Sequence, residues 1–165
     1  MENQRFEALS RICLNNWHYI RHKVLSFNDG INFFTGHSGS GKSTVIDALQ
    51  IVLYANTDGR GFFNKAAADD SDRSLIEYLR GMINIGEDNR FSYLRNQNFS
   101  STIVLELRQT DTGASQCVGV VFDVETATNE IGRMFFWHKG PIPDHEYRKT
   151  DRAMSINEVK NWLME

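Results

Sequence analysis

The sequence predicts an α/β fold with a mixed sheet around one central helix and an antiparallel β meander behind it. A glycine-rich run at residues 36–43 lies between a short β-rich segment and a long apolar segment. Four further β-rich segments follow, joined by short polar links. Links of that length connect antiparallel neighbours, whereas the glycine-rich run separates a strand from a helix.

The glycine-rich run, GHSGSGKS, fits the P-loop pattern of glycine, four residues and then glycine, lysine and serine or threonine. Its glycines at 36, 39 and 41 allow a tight turn in which backbone N–H groups point at phosphate oxygens. Lys42 is expected to reach the β- and γ-phosphates, and the Ser43 hydroxyl to complete the shell of a Mg²⁺ ion. The pattern predicts a nucleotide-phosphate site; the alternative is a glycine-rich turn that caps a core helix.

The segments on either side agree with a P-loop. Residues 31–35 (INFFT) form a short β-rich run after the Asp29-Gly30 turn signal. Residues 44–55 (TVIDALQIVLYA) are long enough for about three helical turns and are apolar around most of the helix. A helix that begins here would present unpaired amides and its positive dipole end to the phosphates.

The segment before the loop predicts two strands. Residues 6–17 show partial alternation and residues 23–27 form a second β-rich run, with a polar break at His18-Tyr19. The short connection predicts an antiparallel pair. We expect this pair to form a flap beside the nucleotide sheet, over the base and ribose.

The rest of the chain predicts a loop, two helices and the meander. Residues 56–72 are polar and contain glycine, and are expected to form a loop at the edge of the site. The other predicted elements are a helix at 73–82 that ends by 86–89, strands at 91–95, 101–109, 116–123 and 133–138, and a turn at 110–113. Ser155 and Glu158 form a capping box that opens a helix reaching residue 165. A helix so close to the end of the sequence suggests a fragment of a longer chain.

Composition and charge are those of a globular domain. The 165 residues suit a single domain, 41% are hydrophobic, and no apolar run approaches the ~20 residues that span a bilayer. The start of the chain lacks a secretory signal pattern, so we expect a cytoplasmic protein with no membrane partner. The formal net charge of −3 gives no global attraction to nucleic acid.

Two groups of residues have simpler interpretations than a functional site. Cys13 and Cys117 lack metal-ligand spacing and are expected to be small core residues. The basic cluster Arg21-His22-Lys23, at the start of a predicted strand, is expected to be a solvated strand edge.

Hydrolysis in a P-loop enzyme needs an acidic residue after a hydrophobic strand to hold Mg²⁺. Asp123 ends the run VGVVFD and Glu106 ends TIVLE, but both lie in the predicted meander. The required strand runs parallel to the P-loop strand and is reached by a crossover. We therefore expect both acids to be outward-facing or turn residues. The alternative is a self-contained small NTPase or nucleotide kinase that uses Asp123 as its metal acid.

The first third of the chain resembles the N-terminal half of an SMC-type ATPase head, the group that includes SMC, MukB and SbcC-like proteins. The matching segments are residues 14–19 (LNNWHY), 26–36 (SFNDGINFFTG) and 40–49 (SGKSTVIDAL). Residues 72–81 and 119–123 are also similar to the SMC-like subunit of Wadjet plasmid-defence systems. The resemblance implies an ABC/SMC-type P-loop NTPase fold, ATP and Mg²⁺ as ligands, and a role in DNA repair, chromosome organisation or plasmid defence.

The resemblance also implies roles for single residues. His18 and Tyr19 follow the aromatic end of the first strand, where family members approach the nucleotide, and Ser38 lies where many members have an asparagine beside the phosphates. The predicted nucleotide-binding residues are Gly36, Ser38, Gly39, Ser40, Gly41, Lys42, Ser43, Thr44 and His18, with Ser43 also the Mg²⁺ ligand. The arginine that faces the nucleotide or DNA stays open among Arg60, Arg73, Arg80 and Arg95, and the Mg²⁺-contacting glutamine among Gln97, Gln109 and Gln116.

In this family the metal-acid strand, the signature motif and the switch histidine lie in a C-terminal half beyond a coiled coil, and this sequence stops before any coiled coil. The resemblance implies that the chain binds ATP without turning it over. It also implies three partners: the C-terminal half of the head, a second head, and DNA. An alternative of another class is a non-catalytic nucleotide-sensing module, which would bind nucleotide with a partner-dependent effect and no turnover.

Overall fold

The computed structural model describes residues 6–28, 42–54, 74–85 and 90–165. The predicted strand at 31–35, the loop residues 36–41 and the predicted loop at 56–72 lie outside these described residues. The described strands are β1 (Glu7–Trp17), β2 (Ile20–Ser26), β3 (Met82–Ile85), β4 (Arg90–Tyr93), β5 (Phe99–Gln109), β6 (Ser115–Glu125), β7 (Glu130–Lys139), β8 (Arg148–Lys149) and β9 (Arg152–Ala153). The described helices are α1 (Lys42–Tyr54), α2 (Ser74–Arg80) and α3 (Ile156–Leu163).

Five strands form one antiparallel sheet in the order β2-β1-β5-β6-β7, and β3-β4 and β8-β9 form two small hairpins. The predicted meander is confirmed, because β5, β6 and β7 are consecutive antiparallel neighbours. The predicted first pair is confirmed as β1 and β2. It is not an isolated flap, however, because β1 also pairs with β5 along most of its length.

Alternation along the central strands gives the sheet two apolar faces. One face packs on α1, and its buried strand residues are Ile12, Leu14, Trp17, Ile103, Leu105, Val120, Phe122 and Val124. The alternate residues lie beneath residues 140–155, called here the covering segment. These are Cys13, Val104 and Cys117, which pack with Ile142 and Tyr147 of that segment. The two faces therefore separate residues near α1 from those far from it.

The alternation of β1 breaks at Asn16, and this break shapes the candidate site. Asn15 still faces the covering segment, where its Nδ2 donates to Glu146 O at 3.0 Å. Asn16 has a φ of 52°, a left-handed conformation that asparagine tolerates better than most residues. Trp17 then turns to the α1 side, where it is fully buried and donates from Nε1 to Thr44 O at 2.9 Å. The end of β1 is thereby fixed against the start of α1.

The predicted helix at 73–82 ends earlier than expected. Helix α2 ends at Arg80, and Gly81 follows with a φ of 68° and donates to Glu77 O at 2.9 Å. A side chain there would also come within 2.7 Å of His18 O. The chain continues as the β3–β4 hairpin, whose first strand the sequence did not predict.

The C-terminal helix forms as its capping box predicts. The Ser155 side chain accepts from Glu158 N at 3.2 Å, and the Glu158 carboxylate accepts from Ser155 N at 3.1 Å. The helix ends at Leu163 rather than at the last residue. Among the described residues, none of the helices is both long and apolar enough to cross a bilayer.

Candidate nucleotide site

Helix α1 begins at Lys42, directly after the glycine-rich loop, as a P-loop requires. The loop residues 36–41 and the side chains of Lys42 and Ser43 lie outside what the structure describes, so their contacts with phosphate and Mg²⁺ stay predictions. The first described side chain of the helix is Thr44, which is 6% exposed. The surroundings of Thr44 therefore define the described part of the site.

Two aromatic residues at the end of β1 hold Thr44. Trp17 donates to the backbone oxygen of Thr44, and His18 Nδ1 lies 2.9 Å from its hydroxyl oxygen. Thr44 belongs to the first turn of α1, the end at which helix amides are free to meet an anion. His18, predicted from the family resemblance, is thus placed beside the predicted phosphate site.

The surroundings of His18 keep its ring neutral. Burial lowers the pKa of His18 to about 4, and the nearby Arg95 charge lowers it in the same direction. The backbone is fixed as well, with a φ of 51° and an N–H that donates to Tyr78 O at 2.6 Å. At neutral pH His18 therefore contributes a hydrogen bond to Thr44 but no positive charge.

Two tyrosines complete an aromatic cluster around His18. The ring centroids of His18 lie 3.7 Å from Tyr19 and 4.8 Å from Tyr78, and Tyr78 also stacks on Trp17 at 5.0 Å. Tyr19 is 56% exposed, and its hydroxyl donates to Met82 O at 3.2 Å. The cluster offers an accessible aromatic surface beside the start of α1, of the kind on which a planar base can stack.

A buried acid that the sequence analysis did not single out as functional ties α2 to α1. Asp47 of α1 is 3% exposed, and the Tyr78 hydroxyl donates to its Oδ2. Burial, then this hydrogen bond, raises the pKa of Tyr78, so the phenol keeps its proton. The two residues are 31 positions apart, so no local spacing indicates the pair. The one local indication of a role for Asp47 was the presence of an acidic residue within an apolar helix.

Arg95 holds the backbone around the site. Its guanidinium donates to the carbonyls of His18 at 2.8 Å, Leu79 at 2.8 Å and Ile20 at 3.0 Å. These bonds join the β1–β2 turn to the end of α2. Burial lowers the pKa of Arg95 to about 10, so it stays charged at neutral pH. Arg95, one of the four candidate arginines, is therefore held within the fold.

Arg80, the other candidate arginine with a described side chain, is also held by hydrogen bonds within the fold. Its Nη1 donates to Asn129 Oδ1 at 2.8 Å and its Nη2 to Asn96 Oδ1 at 3.1 Å. The other two candidates, Arg60 and Arg73, lie outside the described residues. They stay predictions for the contact with nucleotide or DNA.

Asp123 lies on the face of the sheet opposite α1. Its strand neighbours Phe122 and Val124 pack in the α1 core, whereas its own Oδ1 accepts from Ser100 Oγ at 2.7 Å. The same oxygen accepts from Ile156 N at 3.1 Å, at the first turn of α3. This carboxylate therefore supports α3, and its position does not favour the alternative in which it holds a metal at the P-loop.

Glu106 is also on the face away from α1, and the expectation that it faces outward is wrong. It is 4% exposed, with Arg11 donating from Nε at 2.9 Å and from Nη2 at 2.6 Å. Ile142 N donates to the same carboxylate at 2.7 Å. Burial raises the pKa of Glu106, but the hydrogen bonds from Arg11 and Ile142 outweigh burial, and the net pKa is below its usual value.

Two of the three candidate glutamines lie far from the start of α1. Glu7 pairs with Gln109 at the end of β1 opposite Trp17, about 30 Å along the strand. Gln116 is near that end too, where its Nε2 donates to the Glu7 carboxylate. Gln97 is exposed between β4 and β5 and stays a prediction for the Mg²⁺ contact.

The interpretation of both cysteines as core residues is confirmed. Cys13 and Cys117 are buried and unpaired, and burial raises their pKa values to about 12 and about 11. The basic residues 21–23 are exposed on β2, as expected of a strand edge. In the part of the chain that the structure describes, no cluster of three or more His, Cys, Asp or Glu side chains could hold a metal ion.

Comparison with known proteins agrees with the class of fold that this geometry indicates. Residues 9–70 match the family described as the P-loop containing region of AAA domain. The chain is 31% identical over 108 residues to Structural maintenance of chromosomes protein 6 of Dictyostelium discoideum, covering 65% of this chain and 9% of that protein. The matched family segment includes most of β1, all of β2, the P-loop sequence and α1, and so contains Trp17, His18 and Thr44.

Two further proteins are similar at lower identity. DNA repair protein RecN of Aquifex aeolicus (strain VF5) is 23% identical over 121 residues, covering 58% of this chain and 23% of RecN. DNA replication and repair protein RecF of Francisella tularensis subsp. mediasiatica (strain FSC147) is 25% identical over 107 residues, covering 63% of this chain and 30% of RecF. The chain spans less than a third of each of these three relatives. The matches support the N-terminal region of an SMC-like ATPase and the α/β P-loop class of fold.

Proposed function

We propose that this chain is the ATP-binding part of an SMC-like ATPase head that acts in DNA repair, chromosome organisation or plasmid defence. The observation that carries the proposal is the P-loop sequence at 36–43, followed at once by α1, whose first turn is held by Trp17 and His18. Similarity to proteins named for chromosome maintenance and DNA repair supports the DNA-related role.

The described residues fit a nucleotide with its Mg²⁺ ion, because the 13-residue helix α1 begins at the end of the P-loop sequence, and the first turn of a helix favours an anion. In the proposal, residues 36–41 turn their N–H groups to the phosphates and Lys42 balances the phosphate charge. Ser43 holds Mg²⁺, which when bound would polarise the phosphate oxygens. His18 orients the Thr44 hydroxyl at the same helix end.

The proposed partners complete the site. The C-terminal half of the head would supply the metal-holding acid, since Asp123 and Glu106 both support the opposite face of the sheet. A second head would close on the nucleotide, and DNA would bind the full assembly in the cytoplasm. The finer proposal within this group is the SMC-like subunit of a Wadjet plasmid-defence system, JetC, for which residues 72–81 and 119–123 are the supporting segments.

Calorimetric titration with Mg-ATP tests the site. We expect the parent chain to bind and Lys42→Ala to abolish binding, because the substitution removes the cation nearest the phosphates. Lys23→Ala, at an exposed position of β2, is the matched control and should bind as the parent does. Binding that survives Lys42→Ala would contradict the P-loop assignment.

Turnover of Mg-ATP tests the class of protein. The chain alone is expected to stay at background, because the acid proposed to hold Mg²⁺ together with Ser43 belongs to the C-terminal half of the head. Sustained turnover that is lost in Asp123→Ala would overturn the proposal and favour a self-contained NTPase. A lack of turnover that persists when the C-terminal half is added would favour a nucleotide-sensing module instead.

A further inference from the structure

One edge of the five-stranded sheet, β7, has outward-directed backbone groups along its length. Gly140 N donates to Ser115 O, so these two residues form a hydrogen-bonded pair between β7 and β6. The same register continues from the pair Gln116 and Lys139 to the pair Glu125 and Glu130. In an antiparallel pair, alternate residues direct their N–H and C=O groups at the partner strand. The backbone N–H and C=O groups that point at β6 are therefore those of residues 132, 134, 136 and 138. The groups that point outward are those of residues 131, 133, 135, 137 and 139. Among the described strands, β6 is the one that pairs with β7.

The outward-bonding residues of β7 also share one face of the sheet, and that face is aromatic. Phe135 is 39% exposed and Trp137 is 52% exposed, with Arg133 exposed on the same face. Trp137 Nε1 donates to Gln116 Oε1 at 2.6 Å, which fixes the orientation of the indole. The strand therefore presents a fixed aromatic surface beside outward backbone groups that pair with no other strand in the described part of the chain.

The opposite edge of the sheet is protected. β2 has three basic residues in succession at 21–23, and charges of one sign on an edge oppose strand pairing. Arg21 Nη2 also donates to Asp151 O at 3.3 Å, and His22 pairs with Glu146. The centre of β7, residues 134–137 (MFFW), carries no charge at all. An edge of this composition is a template for pairing with another strand.

We propose that β7 pairs with β7 of a second copy of this chain, antiparallel about a two-fold axis at Phe135, so that two five-stranded sheets join into one. In this register the outward N–H and C=O groups of Phe135 bond to their own equivalents. Arg133 then lies directly opposite Trp137 of the second copy, where a guanidinium can stack on the indole face. The two-fold axis produces this contact twice.

The other face of the strand matches in the same register. Met134 lies opposite Phe136 of the second copy, a thioether-aromatic pairing, and Gly132 lies opposite the larger His138. A shift of two residues in one direction would place Arg133 opposite Lys139, where like charges repel. A shift in the other direction loses the contact between Arg133 and Trp137. The charges and aromatic residues therefore select one self-complementary register.

Cysteine cross-linking tests that register. In the proposed pairing the two Cα atoms at position 135 lie about 5.5 Å apart, which a disulfide can bridge. Phe135→Cys should form a covalent dimer under mild oxidation. Ile131→Cys is the matched control on the same face, with its two copies about 27 Å apart along the strands, and should form no covalent dimer. Cys13 and Cys117 are buried and do not compete.

Sedimentation equilibrium of the unmodified chain is the second measurement. The mass should rise with concentration from that of one chain to that of two, and Arg133→Glu should stay monomeric. Lys23→Glu makes the same charge change on the protected edge and should dimerise as the parent does. A parent chain that stays monomeric, or equal cross-linking of the two cysteine variants, overturns the proposal. Because the pairing uses no residue of the nucleotide site, Lys42→Ala should dimerise whether or not the chain binds ATP.

Discussion

At the scale of single residues, Trp17 at the end of β1 and His18 directly after it make different contacts with the start of α1. The Trp17 indole is fully buried and bonds a backbone oxygen of Thr44, which fixes the helix in place. The His18 imidazole bonds the Thr44 hydroxyl, a group that can reorient toward a ligand. The left-handed backbone at Asn16 makes this division possible, because it turns Trp17 onto the α1 face.

The lowered pKa of His18 gives a prediction for acid solution. Since the folded pKa of about 4 lies below the usual 6.5, the unfolded chain takes up this proton first as the pH falls. The stability associated with neutral His18 is therefore present above about pH 6.5 and is lost progressively toward pH 4. We expect His18→Asn, which does not titrate and tolerates the φ of 51°, to lose less free energy of unfolding between pH 7 and pH 5.

Urea unfolding of the parent and His18→Asn at the two pH values measures this difference. Values at pH 8 give the reference, because His18 is then neutral in both the folded and the unfolded chain. Equal losses for the two proteins would contradict the argument.

At the scale of elements, α2 depends on tertiary contacts. A helix of seven residues is not stable on its own in water. Tyr78 connects it to α1 through its hydroxyl and to the β1–β2 turn through its carbonyl, while Arg95 holds the carbonyl of Leu79. The position of α2 is therefore set by the same residues that surround His18.

Removing the Tyr78 hydroxyl should loosen this connection. Tyr78→Phe keeps the ring that stacks on Trp17 but leaves the buried Asp47 carboxylate with one donor fewer, at a cost of about 1–3 kcal/mol in free energy of unfolding. Tyr93→Phe is the control, because it removes the same hydroxyl from a half-buried ring that lies 4.1 Å from the Arg80 guanidinium and away from Asp47. Chemical denaturation measures both variants, and a loss in Tyr78→Phe no larger than in Tyr93→Phe would refute the assigned role.

Elements with a local signal could be predicted from the sequence. β-rich runs on either side of a turn signal identified β5 and β6, predicted at 101–109 and 116–123, and the capping box identified α3. The end of α2 was misplaced because both Gly81 and Gly86 can end a helix, and only the fold requires glycine at the first. The strand predicted at 91–95 is β4, whereas the four-residue strand β3 is too short for its period to distinguish it from a loop.

The candidate site was predicted only in part. The P-loop has a local pattern, and His18 was identified through the family resemblance. Asp47 and Tyr78 are 31 positions apart in the sequence, and His18 and Arg95 are 77 apart. Neither contact can therefore be predicted from local residue spacing. Asp123 and Glu106 both had the right local sequence for a metal acid, but the sheet directs them to the face opposite α1.

At the scale of the whole molecule, one buried carboxylate joins the sheet to its covering segment. Glu106 lies on β5. Its carboxylate accepts two hydrogen bonds from Arg11 of β1 and one from the backbone N–H of Ile142. Because Arg11 and Glu106 are 95 positions apart, the ion pair joins the first strand to the meander. A buried charge held this way is costly to leave unpaired.

Glu106→Gln should therefore weaken the fold in a pH-dependent way. The folded pKa of Glu106 lies below its usual 4.5, so the stability from its ionised form is present above that pH and is lost as the pH falls through the folded pKa. At pH 7 we expect the substitution to cost about 1–3 kcal/mol in free energy of unfolding, since the amide cannot accept both Arg11 bonds. The difference from the parent should shrink as the parent's own carboxylate takes up a proton. Urea unfolding at pH 7 and pH 3.5 measures it, with exposed Glu125→Gln as the control, and an equal difference at both pH values would contradict the role of the ionised carboxylate.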